Sequence, residues 1–532
     1  MKESYLTACT AGITLALNLM CGNGLAQETT QPSGNFSSFN KNNDVNAACA
    51  AIAEKHNAVY KDLERWINAR KIQNGYLPDL GVDVEGLWAS YQETDNWWSK
   101  YLASHGRMFI YDTSLAHYCS IVDDMKSGKF VESRKATDII TQMLRKEELR
   151  GNIGLLHFSY NTEGDNFIDP RKISGANLWV FKALYAYMLA SGDTRRFDDI
   201  TDYVSTYLLP LQVVDETHPA YGLITAGYGH PDGLNQGGYN IYDDLNTLNR
   251  KHYHSVLEHT ADFIDLLRLM IFVIDSHNVT ANHPRLREEL VMRHALVMQG
   301  VKRIRNDKHW PTVIDGDGSY NWSRAVDHYT WLAAAFIGLD DDIAWESIEV
   351  LRNEFTTTID SIEIIKGQKA SRVPLNASAR GLIFFSRDFK DQYVSLSESE
   401  RNKLEALIQP EATGGGIVFL YRYAQVTKDD TRRQKALEYL TELVDGLALI
   451  HKTYSTVYDG GGMPYATENT HDYFNSTPSM AATATFLLSL DTLRTGYPFF
   501  IGVPVPKGCE NALEMKVDTS ILHKTETTQA NS

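Results

Sequence analysis

The stretch Leu184-Tyr-Ala-Tyr-Met-Leu-Ala-Ser-Gly-Asp-Thr-Arg-Arg-Phe-Asp-Asp-Ile-Thr-Asp-Tyr-Val204 decides the fold, because its pattern returns at Leu420-Tyr-Arg-Tyr-Ala-Gln-Val-Thr-Lys-Asp-Asp-Thr-Arg-Arg-Gln-Lys-Ala-Leu-Glu-Tyr-Leu440. Each copy has an apolar helical segment, a short polar turn and a second helical segment. A looser third copy runs from Ala334 to Trp345. A helical hairpin that leaves one face uncovered must stack on its neighbours. The repeat therefore predicts a set of packed helical hairpins.

The hydrophobic pattern around the repeat is helical from about Val45 to Leu490, with few alternating strands. The segment Asn177–Ala190 is apolar on nearly all faces, so other helices must surround it. The segment Thr431–His451 carries charge on one side, which is typical of an outer layer. Further helices are predicted at Ala47–Asn68, Ser114–Lys126, Ser255–Asp275, Arg287–Arg305, Trp331–Gly338, Asp342–Asp360, Gly416–Val426 and Ser479–Thr495. A closed ring of hairpins buries the inner layer, and we predict an all-α (α/α)6 toroid over residues 45–506.

The two ends of the chain differ in composition from this central region. Lys2, the apolar run Leu6–Met20 and the small residues of Gly24-Leu25-Ala26 are typical of a signal peptide, predicted at residues 1–26. Residues 27–44 are predicted to be a flexible polar segment and residues 507–532 a disordered tail. No later segment has the roughly 20 apolar residues of a membrane span. We therefore expect a protein without a membrane span after signal cleavage, in the periplasm or secreted.

Composition limits the partners. The chain of 532 residues has a formal net charge of −16, so phosphate backbones are repelled and nucleic acid is not expected as a partner. Its 28 Tyr, 20 Phe and 9 Trp are compatible with carbohydrate binding, because aromatic rings stack on the apolar faces of sugars, but such residues also fill cores. After signal cleavage Cys49, Cys119 and Cys509 remain. A bridge between Cys49 and Cys509 and buried free thiols are both compatible with the sequence.

Motifs for metal and cofactor chemistry are missing from the sequence. His252, His254 and His259 lie close to Glu258, but the tight spacing of a zinc motif does not occur among them. A phosphate-binding loop, a dinucleotide fingerprint and a nucleophile elbow are also missing. We expect neither a cofactor nor a metal ion.

Six short stretches follow one another along the chain: Tyr111–Ala116, Ser174–Trp179, Val256–Asp262, Ala325–Trp331, Pro410–Gly414 and Ser479–Ala484. In this order they resemble the signatures of the six-hairpin (α/α) toroid glycosidases, which include exported bacterial glucoamylase-like and glucanase-like proteins. The chain departs from the family pattern at Thr260, Ala412 and Thr485, where the family has Asn, Gly and Trp. The resemblance implies a toroid with a central cavity at the ends of its inner helices.

Glycoside hydrolysis needs one protonated and one ionised carboxyl group, and the resemblance implies that the inner helices supply them. Glu258 is predicted to be the general acid, because apolar neighbours would raise its pKa; it could also serve only to stabilise the start of its helix. Asp112, Asp327 and Glu411 are the candidate bases. Asp112 and Asp327 are equally suited to cap helices. Glu411 precedes a run of three glycines that lets the backbone approach a ligand or simply forms a helix-entry turn.

Substrate-binding candidates come from the same stretches. They are Tyr111, Asn177, Trp179, His259, Asp262 and Trp331, with Tyr329 as a further ring for the sugar site. Asp262 lies four residues after Glu258, so the two side chains share a helix face and one can tune the other. Tryptophans in such helices are also common core residues. Arg171 and Arg324 are suited either to an acidic sugar or to a surface ion pair.

Together these features predict an exported glycoside hydrolase that acts on a polysaccharide or oligosaccharide. Two alternatives remain open at this point. A polysaccharide lyase on the same toroid would need a Tyr or His base and a basic subsite. A non-catalytic toroid that binds a glycan or a protein is compatible with the departures at Thr260, Ala412 and Thr485.

Overall fold

The computed structural model describes residues 42–78, 80–92, 106–150, 153–162, 169, 171–229, 254–279, 283–366, 369–386, 398–458, 460–470 and 474–522. The predicted signal peptide and most of the polar segment 27–44 lie outside these residues. Asn43 and Asp44 belong to the first helix, whose start is capped by the side chain of Asn42. Among the helices of the described residues, none is long and apolar enough to cross a membrane.

The described residues contain thirteen α-helices. In chain order they are α1 (Asn43–Lys55), α2 (Asn57–Ala69), α3 (Ile110–Ser127), α4 (Glu132–Leu149), α5 (Ser174–Ser191), α6 (Phe197–Tyr203), α7 (Leu257–His277), α8 (Leu286–Ile304), α9 (Asp341–Val350), α10 (Glu398–Ala406), α11 (Pro410–Val426), α12 (Asp430–Tyr454) and α13 (Met480–Thr495). A π-helical turn, His328–Leu332, precedes α9. The single helix predicted at Ala47–Asn68 is divided at His56.

Six elements form a closed inner ring. In ring order they are α3, α5, α7, the π-helical turn, α11 and α13, and α13 packs back against α3. Their side chains are buried on nearly all faces, as in α5, because each inner helix has neighbours on both sides and an outer helix behind it. Gly128, Gly192, Asn278 and Gly496 end four of these helices in the left-handed conformation. This closed ring confirms the predicted (α/α)6 toroid.

An outer layer completes the hairpins. Helices α4, α8 and α12 follow α3, α7 and α11 and pack against them, and α6 and α9 follow the other two inner elements. The sixth inner element, α13, is followed by no outer helix up to residue 522, where the described part of the chain ends; α1 and α2 pack against it instead. The first two described helices thus cover the last inner helix and complete the outer layer there.

Short strands precede the inner helices. They are β1 (Tyr76–Leu77), β2 (Val82–Asp83), β3 (Arg107–Phe109), β4 (Ser159–Asn161), β5 (Lys172–Ile173), β6 (Gly227–Tyr228), β7 (Ser255–Val256), β8 (Val313–Ile314), β9 (Tyr320–Asn321), β12 (Met463–Pro464) and β13 (Pro478–Ser479). The antiparallel pairs β3–β4, β5–β6, β7–β8 and β12–β13 each contain the strand that leads directly into an inner helix. These pairs fix the entry of α3, α5, α7 and α13.

A long β-hairpin interrupts the helical pattern and was not predicted. Its strands are β10 (Thr356–Lys366) and β11 (Lys369–Leu382), paired antiparallel. The prediction of one helix over Asp342–Asp360 is wrong after Phe355, because β-branched Thr and Ile residues follow at high density and favour a strand. Strand β11 packs on α12, where Gly446 allows the close approach: a Cβ there would lie 2.0 Å from the carbonyl oxygen of Arg380.

The predicted disordered tail is ordered over its first part. Arg287 and Gln299, both on the outer helix α8, donate hydrogen bonds to the carbonyl oxygens of Lys507, Ala512 and Met515 at 2.7–2.8 Å. Residues 507–522 therefore pack on the toroid, whereas residues 523–532 lie outside the described residues. Cys49, Cys119 and Cys509 are buried free thiols, so the Cys49–Cys509 bridge does not form.

Candidate active site

The amino-terminal ends of the six inner elements surround one cavity of about 400 Å³. Every element of the ring contributes to its lining. Asp112 comes from α3, Trp179 from α5, Glu258 from α7, Glu411 from α11 and Ala481 from α13. Asp327 directly precedes the π-helical turn, and Trp331 belongs to it. Because the amino-terminal end of a helix carries partial positive charge, this end of the toroid favours acidic groups.

Most of the predicted site residues meet in this cavity. The lining contains Tyr111, Asp112, Trp179, Glu258, His259, Asp327, Trp331 and Glu411. These residues span 300 positions of the sequence. The toroid therefore assembles them only when its ring is closed.

Glu258 lies in the first turn of α7 with its carboxyl group open to the cavity. The side chain is exposed within the cavity, yet protein atoms lie closely around its carboxyl group. Burial, followed by the negative charges of Asp262 and Glu411, raises the pKa of Glu258 to about 8. The side chain is thus protonated at neutral pH, as a general acid must be.

Asp112 and Asp327 are two further carboxyl groups with raised pKa values. Burial is the main cause at both. It raises the pKa of Asp112 to about 8, against the lowering effect of a hydrogen bond from Ser90. The pKa of Asp327 lies well above its ordinary value, since Glu258 and Glu411 add repulsion. Asp112 lies inside the first turn of α3, so it is not the predicted N-cap, and the Asp327 side chain makes no capping hydrogen bond.

Glu411 receives hydrogen bonds on both of its carboxylate oxygens. It lies in the first turn of α11, after Pro410. The Tyr111 hydroxyl donates to its Oε1, and Gln409 Nε2 donates to its Oε2 at 3.2 Å. Burial raises the pKa of Glu411, while these two hydrogen bonds lower it. Donors to both oxygens stabilise the ionised form, which makes Glu411 the carboxylate best suited to act as a base.

Asp262 does not line the cavity, contrary to its predicted role in substrate binding. It is 1% exposed, and its Oδ1 accepts a hydrogen bond from Lys182 Nζ at 3.0 Å. Burial raises the pKa of Asp262 to about 6, although Lys182 opposes this rise. Asp262 is therefore a buried, ion-paired group one turn below Glu258.

Asn177 is also a structural residue and not a cavity residue. Its amide accepts from Leu156 N at 2.8 Å and donates to the carbonyl oxygens of Leu156 and Ile173. It thereby joins the start of α5 to the loop before it. Tyr329 is likewise outside the cavity, because its hydroxyl is bound to His309 Nδ1 at 2.7 Å within the core.

The two arginines considered for an acidic sugar are paired with acids. Arg171 Nε donates to Asp169 at 2.8 Å, and Arg324 Nη1 donates to Glu354 at 2.7 Å. Both therefore form ion pairs within the protein. Among the described residues there is no group of three or more His, Cys, Asp or Glu side chains arranged to hold a metal ion.

The glycines after Glu411 are helical and serve packing. Added Cβ atoms would lie 2.8 Å from Thr485 at Gly414, 2.4 Å from the Trp331 ring at Gly415 and 2.8 Å from Leu382 at Gly416. Each contact involves a neighbouring element of the protein. The glycine run therefore lets α11 approach its neighbours and Trp331, and does not form a ligand-binding loop.

Several cavity residues were not predicted from the sequence. They are Tyr91, Phe109, Phe158, Phe384, Gln409 and Tyr465. Most lie in loops or short strands between the inner helices, where no helical period singles them out. Gln409 had a usable signal, because it immediately precedes Pro410 and its side chain caps α11 by accepting from Ala412 N at 3.0 Å.

Comparisons with known proteins concern the fold. No protein-family model and no curated protein matches this chain. Solved structures similar to it include an α-mannosidase from Streptococcus pneumoniae in complex with α-1,6-mannobiose, at 13% identity and a TM-score of 0.45, covering 85% of this chain and 99% of that chain. A family 76 glycoside hydrolase from Bacteroides thetaiotaomicron is similar at 9% identity and a TM-score of 0.45, covering 82% of this chain and 77% of that chain. An endo-β-1,2-glucanase from Chitinophaga pinensis is similar at 8% identity and a TM-score of 0.40, covering 88% and 97%.

These similar structures are glycoside hydrolases. The closed ring of inner elements makes this chain an (α/α)6 toroid, with carboxyl groups and aromatic rings at the amino-terminal end of the ring. A fold does not define an activity, whereas the residues of the cavity do.

Proposed function

We propose that this protein is a glycoside hydrolase that cleaves an oligosaccharide or polysaccharide by acid–base catalysis between Glu258 and Glu411. One observation carries the proposal: a single cavity holds two glutamates in different surroundings. Glu258 has a pKa raised to about 8, and Glu411 receives hydrogen bonds on both oxygens. Glycosidases depend on such a division between an acid and an ionised partner.

The roles follow from the environments of the two residues. Glu258 donates its proton to the glycosidic oxygen as the bond to the anomeric carbon breaks. Glu411 accepts a proton from the water that attacks this carbon. Positive charge develops on the sugar in the transition state, and the negative charge of Glu411 stabilises it. Burial raises the pKa of Asp112 and of Asp327, which favours the protonated forms that can donate hydrogen bonds to sugar hydroxyl groups.

The aromatic lining supports a carbohydrate ligand. Trp179, Trp331 and Tyr465 are in the lining together with three phenylalanines. A sugar ring has an apolar face that packs on such rings, while its hydroxyl rim needs polar partners. The cavity offers both at once, as small-molecule sites commonly do.

Hydrolysis by purified protein tests the proposal. Neutral α- and β-linked glucans, mannans and uronate polymers are incubated with the wild type and with Glu258→Gln and Glu411→Gln. We expect reducing ends from at least one polymer, with kcat lowered by about 100-fold or more in each variant, because each loses one proton-transfer group.

Glu288→Gln is the matched control. Glu288 is an exposed glutamate in the first turn of α8, the outer helix of the same hairpin, so the charge change and the helix position are the same outside the cavity. Its activity should equal that of the wild type. Folded wild-type protein that binds sugars but hydrolyses none would contradict the hydrolase and leave a glycan-binding toroid.

Export is a separate part of the proposal and rests on the amino-terminal pattern Leu6–Met20 followed by Gly24-Leu25-Ala26. Expression of the full chain in a bacterium with a periplasm tests it. We expect protein in the periplasm or medium whose amino-terminal sequence begins at Gln27. Full-length protein retained in the cytoplasm would contradict export without bearing on the hydrolase.

A further inference from the structure

Lys182 is a fully buried lysine beneath the cavity that the proposed reaction does not use. It lies in the middle of α5, and its Nζ is 3.0 Å from Asp262 Oδ1 and 3.6 Å from Asp265 Oδ2. The same ammonium lies 3.7 Å from the centroid of the Trp179 ring. Trp179 lines the cavity and Lys182 does not, so the lysine supports the lining from within the protein.

Asp262 connects this lysine to the acid side of the site. Its carboxylate accepts a hydrogen bond from the Trp179 indole. It also lies one helical turn after Glu258 on the same face of α7, where its charge acts on Glu258. One carboxylate thus contacts both a ring of the cavity and the field around the acid.

Trp179 connects the lysine to the base side. Its ring packs edge-on against Tyr111, with 5.3 Å between the ring centroids. The hydroxyl of Tyr111 in turn donates to Glu411. A displaced indole would therefore move the tyrosine that holds the base.

Stability alone gives a weak reason for this ion pair. Removing an ammonium and a carboxylate from water costs several kcal/mol, and apolar residues of equal volume often pack as well or better. Asp265, the other carboxylate near Lys182, already accepts hydrogen bonds from Gly502 N and Val503 N. The charge of Lys182 is thus matched mainly to Asp262, directly below the site.

We infer that Lys182 is a positioning residue of this site, acting through its ion pair with Asp262 and its contact with Trp179 to hold the sugar-stacking ring and a fixed negative charge below Glu258. The inference rests on the proposed hydrolase for its catalytic consequences. The structural coupling among Lys182, Asp262 and Trp179 is independent of the proposed hydrolase and can be measured without activity.

The sign of the charge effect follows from the groups around the acid. Five groups face Glu258: Asp262 on its own helix, Glu411 on α11, Asp327 at the π-helical turn, Tyr111 on α3 and Tyr465 from the segment before β13. Besides Glu258, the groups that face Asp262 are Lys182 on α5, Asp265 on α7, Tyr111 and Tyr118 on α3, Asp327 and Glu411. Asp262→Asn removes repulsion and takes the nearer carboxylate from the Lys182 ammonium, which keeps Asp265 at 3.6 Å. Both changes favour ionised Glu258, so its pKa must fall.

Three variants test the inference. In Asp262→Asn the basic limb of the kcat/KM profile should move to lower pH by about one unit. In the double variant Lys182→Met/Asp262→Asn the basic limb should lie closer to that of the wild type, because the Lys182 ammonium that lost Asp262 is also removed. In Lys182→Met and in the double variant KM should rise by roughly tenfold, because the loosened Trp179 ring binds the sugar less well.

Lys172→Met is the matched control. Lys172 is equally buried, and its ion pair with Glu147 at 3.5 Å does not involve the cavity carboxyl groups. Loss of stability without a shift of the basic limb is the result expected for this control. If Lys182→Met alone does not fold, the double variant still decides, because it leaves no unpaired buried charge.

A readout without activity separates this inference from the proposed function. The protein is labelled with 13C at the glutamate side-chain carboxyl carbon, and the Glu258 resonance is identified by its loss in Glu258→Gln. Its titration midpoint should fall in Asp262→Asn and recover partly in the double variant. A wild type that hydrolyses nothing while this midpoint moves would overturn the hydrolase and support the coupling. An unmoved midpoint and an unchanged KM in folded variants would overturn the inference.

Discussion

The hydroxyl of Tyr111 donates a hydrogen bond to the carboxylate of Glu411, although 300 residues separate the two in sequence. Tyr111 lies in the first turn of α3 and Glu411 in the first turn of α11, two inner helices with α13 between them in the ring. The bond therefore joins two parts of the cavity wall that are not adjacent in the ring. It also stabilises the ionised form of the only cavity glutamate that receives donors on both oxygens among the described residues.

Removal of this hydroxyl should lower the fraction of Glu411 that is ionised at acidic pH. In Tyr111→Phe the pKa of Glu411 rises, because a donor to the ionised form is lost. The base is then protonated up to a higher pH, so the acidic limb of the kcat/KM profile moves upward and kcat near pH 6 falls by roughly 10-fold. Initial rates of hydrolysis from pH 4 to pH 9, with the most active polymer of the panel, provide the measurement.

Tyr329→Phe is the control for this substitution. It removes a buried tyrosine hydroxyl that is bound to His309 outside the cavity. Its thermal stability should decrease while its acidic limb stays in place. An acidic limb that is the same in Tyr111→Phe and in the wild type would mean that Glu411 is not the base.

The raised pKa of Glu258 predicts the basic limit of activity. The acid must carry its proton, and its pKa is raised to about 8 by burial and by neighbouring negative charge. Hydrolysis should therefore be retained to about pH 8 and decline above it. Aryl glycosides with good leaving groups need less protonation, so their cleavage should decline less. A basic limb near the ordinary pKa of a glutamate would remove Glu258 from this role.

Asp112 should make the fold less stable as the pH rises. Its pKa in the folded protein is about 8, above the value of about 4 expected in the unfolded chain. The folded state therefore binds the proton more tightly, and stability present below pH 4 is lost as the pH rises through 8. Asp112→Asn carries no ionisable group there, so its free energy of unfolding should decline less than that of the wild type between pH 5 and pH 8. Urea denaturation at both pH values measures the difference, and equal declines would contradict the raised pKa.

The sequence predicted the ring because local patterns alone carry that information. The echo between Leu184–Val204 and Leu420–Leu440 defines a hairpin, and the apolar faces of Asn177–Ala190 require neighbours on all sides. The position of Glu258 in the first turn of its helix follows from the same pattern. Such features depend on residues close together in the chain.

The predictions that were wrong, and the site residues that were missed, depend on contacts between residues far apart in the sequence. Asp262 and Glu258 share a helix face, but only the approach of Lys182 from α5 shows that Asp262 is buried in an ion pair. The glycines at 414–416 were interpreted as a loop near a ligand or as a helix-entry turn. They lie within α11, where Thr485 and Trp331 pack against Gly414 and Gly415. Tyr465 directly follows β12, and the pairing of β12 with β13 places this residue at the cavity. No helical periodicity identifies it in the sequence. Helical periodicity cannot foresee these long-range contacts.

Gly415 positions a cavity ring, which gives a last prediction. An added Cβ would lie 2.4 Å from the Trp331 ring, closer than packing allows. Gly415→Ala should therefore displace Trp331, which lines the cavity, and raise KM by roughly 10-fold. The clash costs about 1–3 kcal/mol, partly offset by about 1 kcal/mol from the better helix propensity of alanine. Steady-state kinetics and thermal unfolding measure the two effects.

Gly416→Ala separates the ring from the helix. It lies in the same helix, but its added Cβ would meet the Leu382 side chain at 2.8 Å, and Leu382 does not line the cavity. Both variants gain the same helix propensity and both crowd a buried neighbour, so both should lose some stability. Only Gly415→Ala should lose affinity for the sugar, because only there does the crowded neighbour belong to the cavity wall. Equal KM values in the two variants would show that Trp331 does not contact the substrate.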